Sequence, residues 1–321
     1  MDLEFLLRLQ ELRNSSPAFV QTLFSFLGSE AAMAVAMVIP CLLYWCYDKR
    51  AGRYALLSFG FSSMFNQIVK NTFCVYRPWI RDTRIVPDSV AIKGANGYSF
   101  PSGHAQSTAS VMAGLGWYYR KLVWPPVVAI LFTLLVAFSR NFLGVHAPQD
   151  VLVGVVEGCV FAYVCWKLME WAEQSEERAF VVLLVGTVLT VVSLVYLTIK
   201  PYPVEYVNGE VLVDPKEMLV SCYKSAGALT GILAGLFVEG AYIRFETGNV
   251  GVAESAARLL MGALMALVVH KLAGALFMEL FGDTVGELFK YALTFFVVSA
   301  GAPFFFRPLG NRFFAGSHAK S

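Results

Sequence analysis

Long apolar runs alternate with short polar ones along almost the whole chain, and many are too long for the strands or buried helices of a water-soluble fold. A helix of about 17 to 25 apolar residues suffices to cross a bilayer. Stretches of that order fall at roughly Glu30–Tyr47, Tyr54–Val69, Gly103–Tyr119, Leu122–Phe138, Val151–Leu168, Ala179–Ile199, Leu219–Ile243, Arg258–Phe281 and Val285–Phe306. The pattern predicts an all-α protein, a polytopic membrane helix bundle with about nine transmembrane helices. Ahead of them, Leu3, Leu6, Leu7 and Leu9 lie among Asp2, Glu4, Arg8, Glu11 and Arg13. That mixture is an amphipathic helix suited to the membrane interface, and it lacks the basic start and apolar core of a signal peptide. Pro17–Leu27 is apolar but short, and fits an interfacial or partly re-entrant segment. The expected divisions are 1–29, an interfacial segment; 30–199, a six-helix core; and 200–321, an outer loop followed by three more helices.

Composition agrees with the pattern. Of 321 residues, 57% are hydrophobic and 15% charged, with mean hydropathy +0.60, too little polar surface to cover a soluble globule of this size. The net charge of +2 is scattered and offers no field for nucleic acid. Cys41, Cys46, Cys159 and Cys165 lie inside apolar runs and read as inert buried thiols. Cys74 and Cys222 fall near the same membrane face, but spacing alone does not establish a disulfide. The acidic run Glu170, Glu173, Glu176 and Glu177 reads as a solvated helix end.

Lysine and arginine bias sets orientation. One face collects Lys49, Arg50, Arg53, Arg120, Lys121, Lys167, Arg178, Arg244, Arg258, Arg307, Arg312 and Lys320. The other, with the residues assigned to chemistry below set aside, has Arg8, Arg13, Arg81, Arg84, Lys93, Lys200 and Lys216. The first face is therefore expected to be cytoplasmic, and the long loops Lys70–Phe100 and Lys200–Glu217 to lie outside.

Three segments carry polar residues that a membrane bundle has no structural need for: Lys70–Pro78, Pro101–His104 and Ser139–Asp150. All three map to the outer face. A phosphoryl group needs cations, a nucleophile and a proton donor for the departing oxygen. Lys70, Arg77 and Arg140 supply the cations. Ser102, Gly103 and His104 open a helix, whose free N–H groups and dipole favour an anion. His146 and Asp150 are four residues apart and share a face if their helix begins early enough; a carboxylate there would hold the Nδ1 proton and leave Nε2 free to attack phosphorus. His104 is the available general acid.

Taken together, Lys70-x6-Arg77-Pro78, Pro101-Ser102-Gly103-His104 and Ser139-Arg140-x5-His146-x3-Asp150 resemble the full three-part signature of the phosphatidic acid phosphatase type 2 superfamily, which also includes vanadium haloperoxidases. The resemblance implies that Lys70, Arg77, Ser102, Gly103 and Arg140 hold phosphate, that His104 is the general acid, that His146 becomes phosphorylated, and that Asp150 orients it. It further implies hydrolysis of a phosphomonoester or diphosphate without metal or other cofactor. The nine-helix layout resembles glucose-6-phosphatase, whereas the stretch Gly97–Gln106 looks more like bacterial lipid-phosphate members. The expected substrate is therefore a lipid or isoprenyl phosphate reached from the membrane, with no obligatory protein partner. A sugar phosphatase, a phosphotransferase and a phosphate-lipid transporter are the competing readings, because they would use the same cations.

Outside the signature, His270 and Lys271 sit near the middle of an apolar stretch, where charge is expensive; an ion pair with Glu239 or Glu279, or a local helix break, is the simplest expectation. Glu157 falls seven residues past Asp150, where holding the catalytic residues in place and plain packing are equally consistent. Trp117, Tyr118, Tyr119 and Trp124 fit an aromatic belt at the cytoplasmic interface. His318 belongs to no such cluster.

Overall fold

The computed structural model describes residues 2–207, 210–248 and 250–306. Twelve α-helices follow one another: α1 Asp2–Ser15, α2 Ala18–Leu27, α3 Glu30–Ala36, α4 Val38–Leu42, α5 Lys49–Phe73, α6 Pro78–Arg81, α7 Gly103–Tyr118, α8 Trp124–Phe142, α9 Pro148–Ala172, α10 Glu176–Ile199, α11 Pro215–Val238 and α12 Val252–Phe296. β-Structure among the described residues is confined to one small ribbon, Tyr206–Val207 against Glu210–Val211. Arg307, Arg312, His318 and Lys320, used above for orientation or site choice, lie outside the described residues.

Every expected apolar stretch contains helix, yet only six spans are long and apolar enough to cross a membrane among the described residues: Glu30–Tyr47, Trp124–Phe142, Pro148–Ala172, Glu176–Ile199, Pro215–Ile243 and Val252–Phe306. The six spans differ from the expected nine at two places. The last two expected stretches form one continuous run, interrupted only where Gly282 takes φ 75° and turns α12 back on itself. A glycine suits that left-handed conformation because a Cβ would be strained there. The second and third expected stretches are α5 and α7. α7 has only 16 residues, and α5 buries Ser58, Ser62, Asn66, Lys70 and Asn71. A helix can be that polar inside a membrane bundle when its neighbours shield it, and α5 packs against α7, α9, α10 and α11. Lipid-facing helices show the opposite pattern: α10 exposes Leu184, Val188, Leu189, Val192 and Val195.

Glycines set the contact between α7 and α9. A Cβ at residue 154 would come within 2.7 Å of the Ser102 carbonyl, and one at residue 158 within 2.5 Å of the Gln106 carbonyl. Small residues let two membrane helices approach backbone to backbone, and here that approach brings the start of α7 beside the start of α9. The main apolar cluster lies elsewhere, where Leu56, Leu229, Ile232 and Leu233 of α5 and α11 meet Tyr44, Trp45 and Phe306.

The first two helices are placed by packing as well as by amphipathicity. α1 folds over the loop after α6, burying Leu6 and Leu9 against Ile85 and Ala147, while Arg13 donates to the carbonyl of Val86 at 2.6 Å. α2 packs Phe24 edge-on against Phe138 and at a tilt against Phe142 of α8. All six cysteines are free; the Cys222 thiol instead accepts from Asn71 Nδ2 at 3.2 Å.

Candidate active site

The three signature segments meet at one end of the bundle. Lys70 lies in the last turn of α5, and Cys74 leaves that helix in the left-handed region at φ 50°, which swings the chain towards Arg77. Arg77 itself is extended (ψ 152°) before Pro78, because the pyrrolidine ring disfavours a helical residue ahead of it. Both cations are buried and spend their donors on loop carbonyls. Lys70 Nζ donates to Tyr98 at 3.1 Å and Pro101 at 2.8 Å. Arg77 donates through Nε to Gly97 at 3.0 Å, through Nη2 to Asn96 at 3.1 Å and through Nη1 to Val145 at 2.9 Å.

Ser102 caps α7 with its backbone, and its N–H donates to the Asp150 carbonyl at 2.9 Å, tying the α7 start to α9. At the end of α8, the Arg140 carbonyl accepts from the N–H groups of Val145 and His146 at 3.1 and 3.3 Å. Gly144 closes this turn at φ 72°. The Arg140 guanidinium is fully buried and its Nη1 donates to the Gly28 carbonyl.

His146 and Asp150 do come together, though by a different route from the one expected. α9 begins at Pro148, so His146 precedes the helix and the two do not share a helical face. Asp150 stands at the third helical position, where its Oδ2 accepts from the Ala147 N–H at 2.9 Å and faces His146 Nδ1 at 3.5 Å. A helix cap thus fixes the carboxylate. Arg77 Nη1 lies 2.9 Å from His146 Nε2. With a carboxylate at Nδ1 and a guanidinium at Nε2, the partners assign the proton to Nδ1 and the lone pair to Nε2.

Two further residues hold this pair, and neither was singled out from sequence. Ser99 Oγ donates to Asp150 Oδ2 at 2.5 Å and lies 3.4 Å from His146 Nδ1. Asn141 Nδ2 donates to the His146 carbonyl at 2.9 Å. The only sequence signal for them was adjacency to the motifs, Ser99 before Pro101 and Asn141 after Arg140.

Electrostatics follow from that packing. Burial, then the charges of Arg77, Arg140 and Lys70, hold the His146 imidazole well below its usual range. Burial draws Arg77 down to about 10, with Asp150 opposing, so the guanidinium stays charged at neutral pH. Several buried polar atoms here have no hydrogen-bond partner: Ser102 Oγ, His104 Nε2, Arg140 Nε and Nη2, and Asp150 Oδ1. Buried polar atoms are rarely left so, and four of these five can donate. Donors of this kind, beside cations already anchored by backbone carbonyls, suit the oxygens of a phosphoryl group.

Residues singled out elsewhere have simpler surroundings. His270 Nδ1 lies 3.3 Å from Thr294 Oγ1 and the ring packs edge-on against Tyr291, so its partners are on the returning arm of α12 and are neither Glu239 nor Glu279. Lys271 is exposed. Glu239 pairs instead with Lys49 at 2.7 Å. Glu157 is partly buried, with Oε2 unpartnered. Tyr118 and Tyr119 donate to the two Asp48 carboxylate oxygens at 3.0 Å each, a local role beyond that of an aromatic belt.

The family comparisons define a membrane-embedded phosphatase. Residues 51–174 match the PAP2 superfamily model, and residues 223–313 match the model for the transmembrane extension of PAP2 superfamily phosphatases; the chain belongs to the PAP2 superfamily. It is similar to phosphatidylglycerophosphatase B of Bacillus subtilis, 28% identical over 156 residues, which are 45% of this chain and 71% of the relative. Undecaprenyl-diphosphatase BcrC of Bacillus subtilis is 25% identical over 155 residues, 47% of this chain and 76% of the relative. A probable sphingosine-1-phosphate phosphatase of Dictyostelium discoideum is 26% identical over 171 residues, 48% of this chain and 39% of the relative. No solved structure matches the chain.

Proposed function

We propose that this protein hydrolyses a lipid or isoprenyl phosphate or diphosphate at the non-cytoplasmic face, through a phosphohistidine on His146. The observation that carries the reading is the placement of His146, with Nδ1 towards Asp150 and Nε2 towards Arg77, among unpartnered donors of Ser102, His104 and Arg140. The phosphoryl oxygens take these donors together with the cations Lys70 and Arg77 and the N–H groups that open α7 at Gly103. Arg77 Nη1 turns from Nε2 to a phosphoryl oxygen, which frees the lone pair. Nε2 then attacks phosphorus, the bond to the leaving oxygen breaks, and His104 gives that oxygen its proton. Asp150 stabilises the charge gained by the imidazole. In the second half, His104 takes a proton from water, the hydroxide attacks the phosphohistidine, and phosphate leaves with His146 neutral again.

A lipid-borne substrate is supported by the relatives, whose names describe lipid and isoprenyl phosphates, and by a site at the end of apolar helices. The non-cytoplasmic face is supported by the cationic residues Lys49, Arg50, Arg53, Arg120 and Lys121 at the other end. The test is phosphate release by detergent-purified protein, with a chelator present, from undecaprenyl diphosphate, a phosphatidylglycerol phosphate and glucose 6-phosphate. His146→Ala is run alongside. Release from a lipid together with an acid-labile, His146-dependent phosphoenzyme is expected. Turnover retained in His146→Ala would overturn the mechanism, and release from the sugar alone would overturn the substrate class.

A further inference from the structure

A cavity lies at the opposite end of the bundle from the candidate active site, between α5, α9, α10 and α11. It has a volume of about 310 Å³, at the small end of ligand pockets and of a size for one chain rather than two. Its inner wall is apolar, made by Leu57, Leu168, Val182, Leu233, Leu236 and Phe237, and its polar residues are Arg53, Glu173, Ser175 and Glu176. Arg53 precedes Lys70 by seventeen residues on the same helix, a rise of roughly 25 Å at 1.5 Å per residue, so this cavity and the catalytic site are separate.

The charges around it are unevenly matched. Glu173 is held by Arg50 at 2.8 Å, Glu176 by Arg244 at 2.9 Å, and the nearby buried Glu239 by Lys49 at 2.7 Å. Among the described residues Arg53 has no ion pair, and its Nε is buried without a hydrogen-bond partner. Each carboxylate at this end of the cavity therefore has its own cation, and one guanidinium is left over on a wall that continues into an apolar slot. That combination is amphiphilic: an anionic head at the helix ends and a hydrocarbon chain running inward along α9, α10 and α11.

We propose that this cavity binds an anionic membrane lipid of the leaflet opposite the catalytic site, its phosphate on Arg53 and one acyl chain in the slot between Leu57, Val182 and Leu233. The occupant is a lipid rather than a free anion because most of the lining is hydrocarbon and would gain nothing from inorganic phosphate.

The experiment uses the full chain reconstituted in phosphatidylcholine vesicles with a phosphatidylglycerol that carries a photoactivatable group in its acyl chain; labelled residues are mapped by peptide mass spectrometry. As a phosphodiester this probe is not consumed by a phosphomonoesterase. Labelling of lining residues on α9, α10 and α11 is expected, falling about tenfold in Arg53→Gln with loss of one charge-assisted contact. It should fall in Ala179→Phe as well, which fills the cavity and leaves Arg53 in place, while excess inorganic phosphate changes nothing. Unaltered turnover of a soluble phosphomonoester in both variants reports an intact fold. Equal labelling by the phosphatidylcholine analogue, wild-type labelling of Arg53→Gln, or displacement by inorganic phosphate would each overturn the proposal.

Discussion

The two ends of the helix bundle satisfy their cations in opposite ways. At the catalytic end, Lys70, Arg77 and Arg140 donate to backbone carbonyls of Gly28, Asn96, Gly97, Tyr98, Pro101 and Val145. At the other end, Lys49, Arg50, Arg244 and Arg258 each hold a carboxylate, of Glu239, Glu173, Glu176 and Glu254 respectively. A carbonyl satisfies a donor and leaves the positive charge uncancelled, whereas a carboxylate does both. Among the described residues, none of the three cations at the first end is ion-paired to a carboxylate, which suits an anion, whereas those four at the second end are neutralised pair by pair and serve the fold. Arg53, the unpaired exception, is where the second end resembles the first.

Variants at the two ends should differ in what they change. Arg77→Met is expected to lower kcat/KM by about 10²- to 10³-fold, the usual cost of one preorganised oxyanion donor, and to lower the unfolding midpoint as well, because the carbonyls of Asn96, Gly97 and Val145 lose their buried donor. The same variant tests the electrostatics of His146. Its depressed pKa keeps the imidazole neutral as pH falls, so the acid limb of kcat/KM in the wild type should lie below the ordinary histidine value of about 6.5. Removing the Arg77 charge raises that pKa, and the limb should move to higher pH. A limb at or above the ordinary value in the wild type would contradict the site as described.

At the neutralised end, Glu239→Gln leaves Lys49 without its buried partner and should destabilise by about 3 kcal/mol, read as a lower midpoint in chemical or thermal unfolding, while kcat of the folded fraction stays at the wild-type value. Loss of turnover without loss of stability would break the comparison. Ser99→Ala is expected to reduce kcat by about tenfold through one charge-assisted hydrogen bond, with KM little changed. Ser99→Thr, which keeps the hydroxyl, should restore most of it. Arg50→Gln removes an exposed pair and should alter stability by less than about 1 kcal/mol and kcat not at all.

Much of this was legible in the sequence because it is local. Helix positions follow from runs of apolar residues, and Lys70, Arg77, Ser102, His104, Arg140, His146 and Asp150 stood out because polar residues at the ends of apolar helices lack a packing reason to be there. Other features depend on contacts between distant segments. The polar residues of α5 lowered its apparent fitness to span a membrane, and only its neighbours explain why it can be polar. Ser99 is unremarkable as a residue type, and it gains a role only when the loop that precedes α7 is laid across the start of α9.

The chain by itself therefore determined the all-helical membrane character, which depends on apolar content and run length, and the chemistry on offer, which depends on residue type at fixed spacing. Tertiary structure decided how that chemistry is assembled. Close packing of α7 on α9 through Gly154 and Gly158 joins the second motif to the third, and the 96–101 loop supplies the carbonyls that anchor two of the cations. Asp150 reaches His146 by capping a helix rather than by sharing its face. The physical reason is range: apolar content and helical periodicity act over a few residues, whereas an unneutralised cluster of cations forms only when backbone from several helices and loops closes around it.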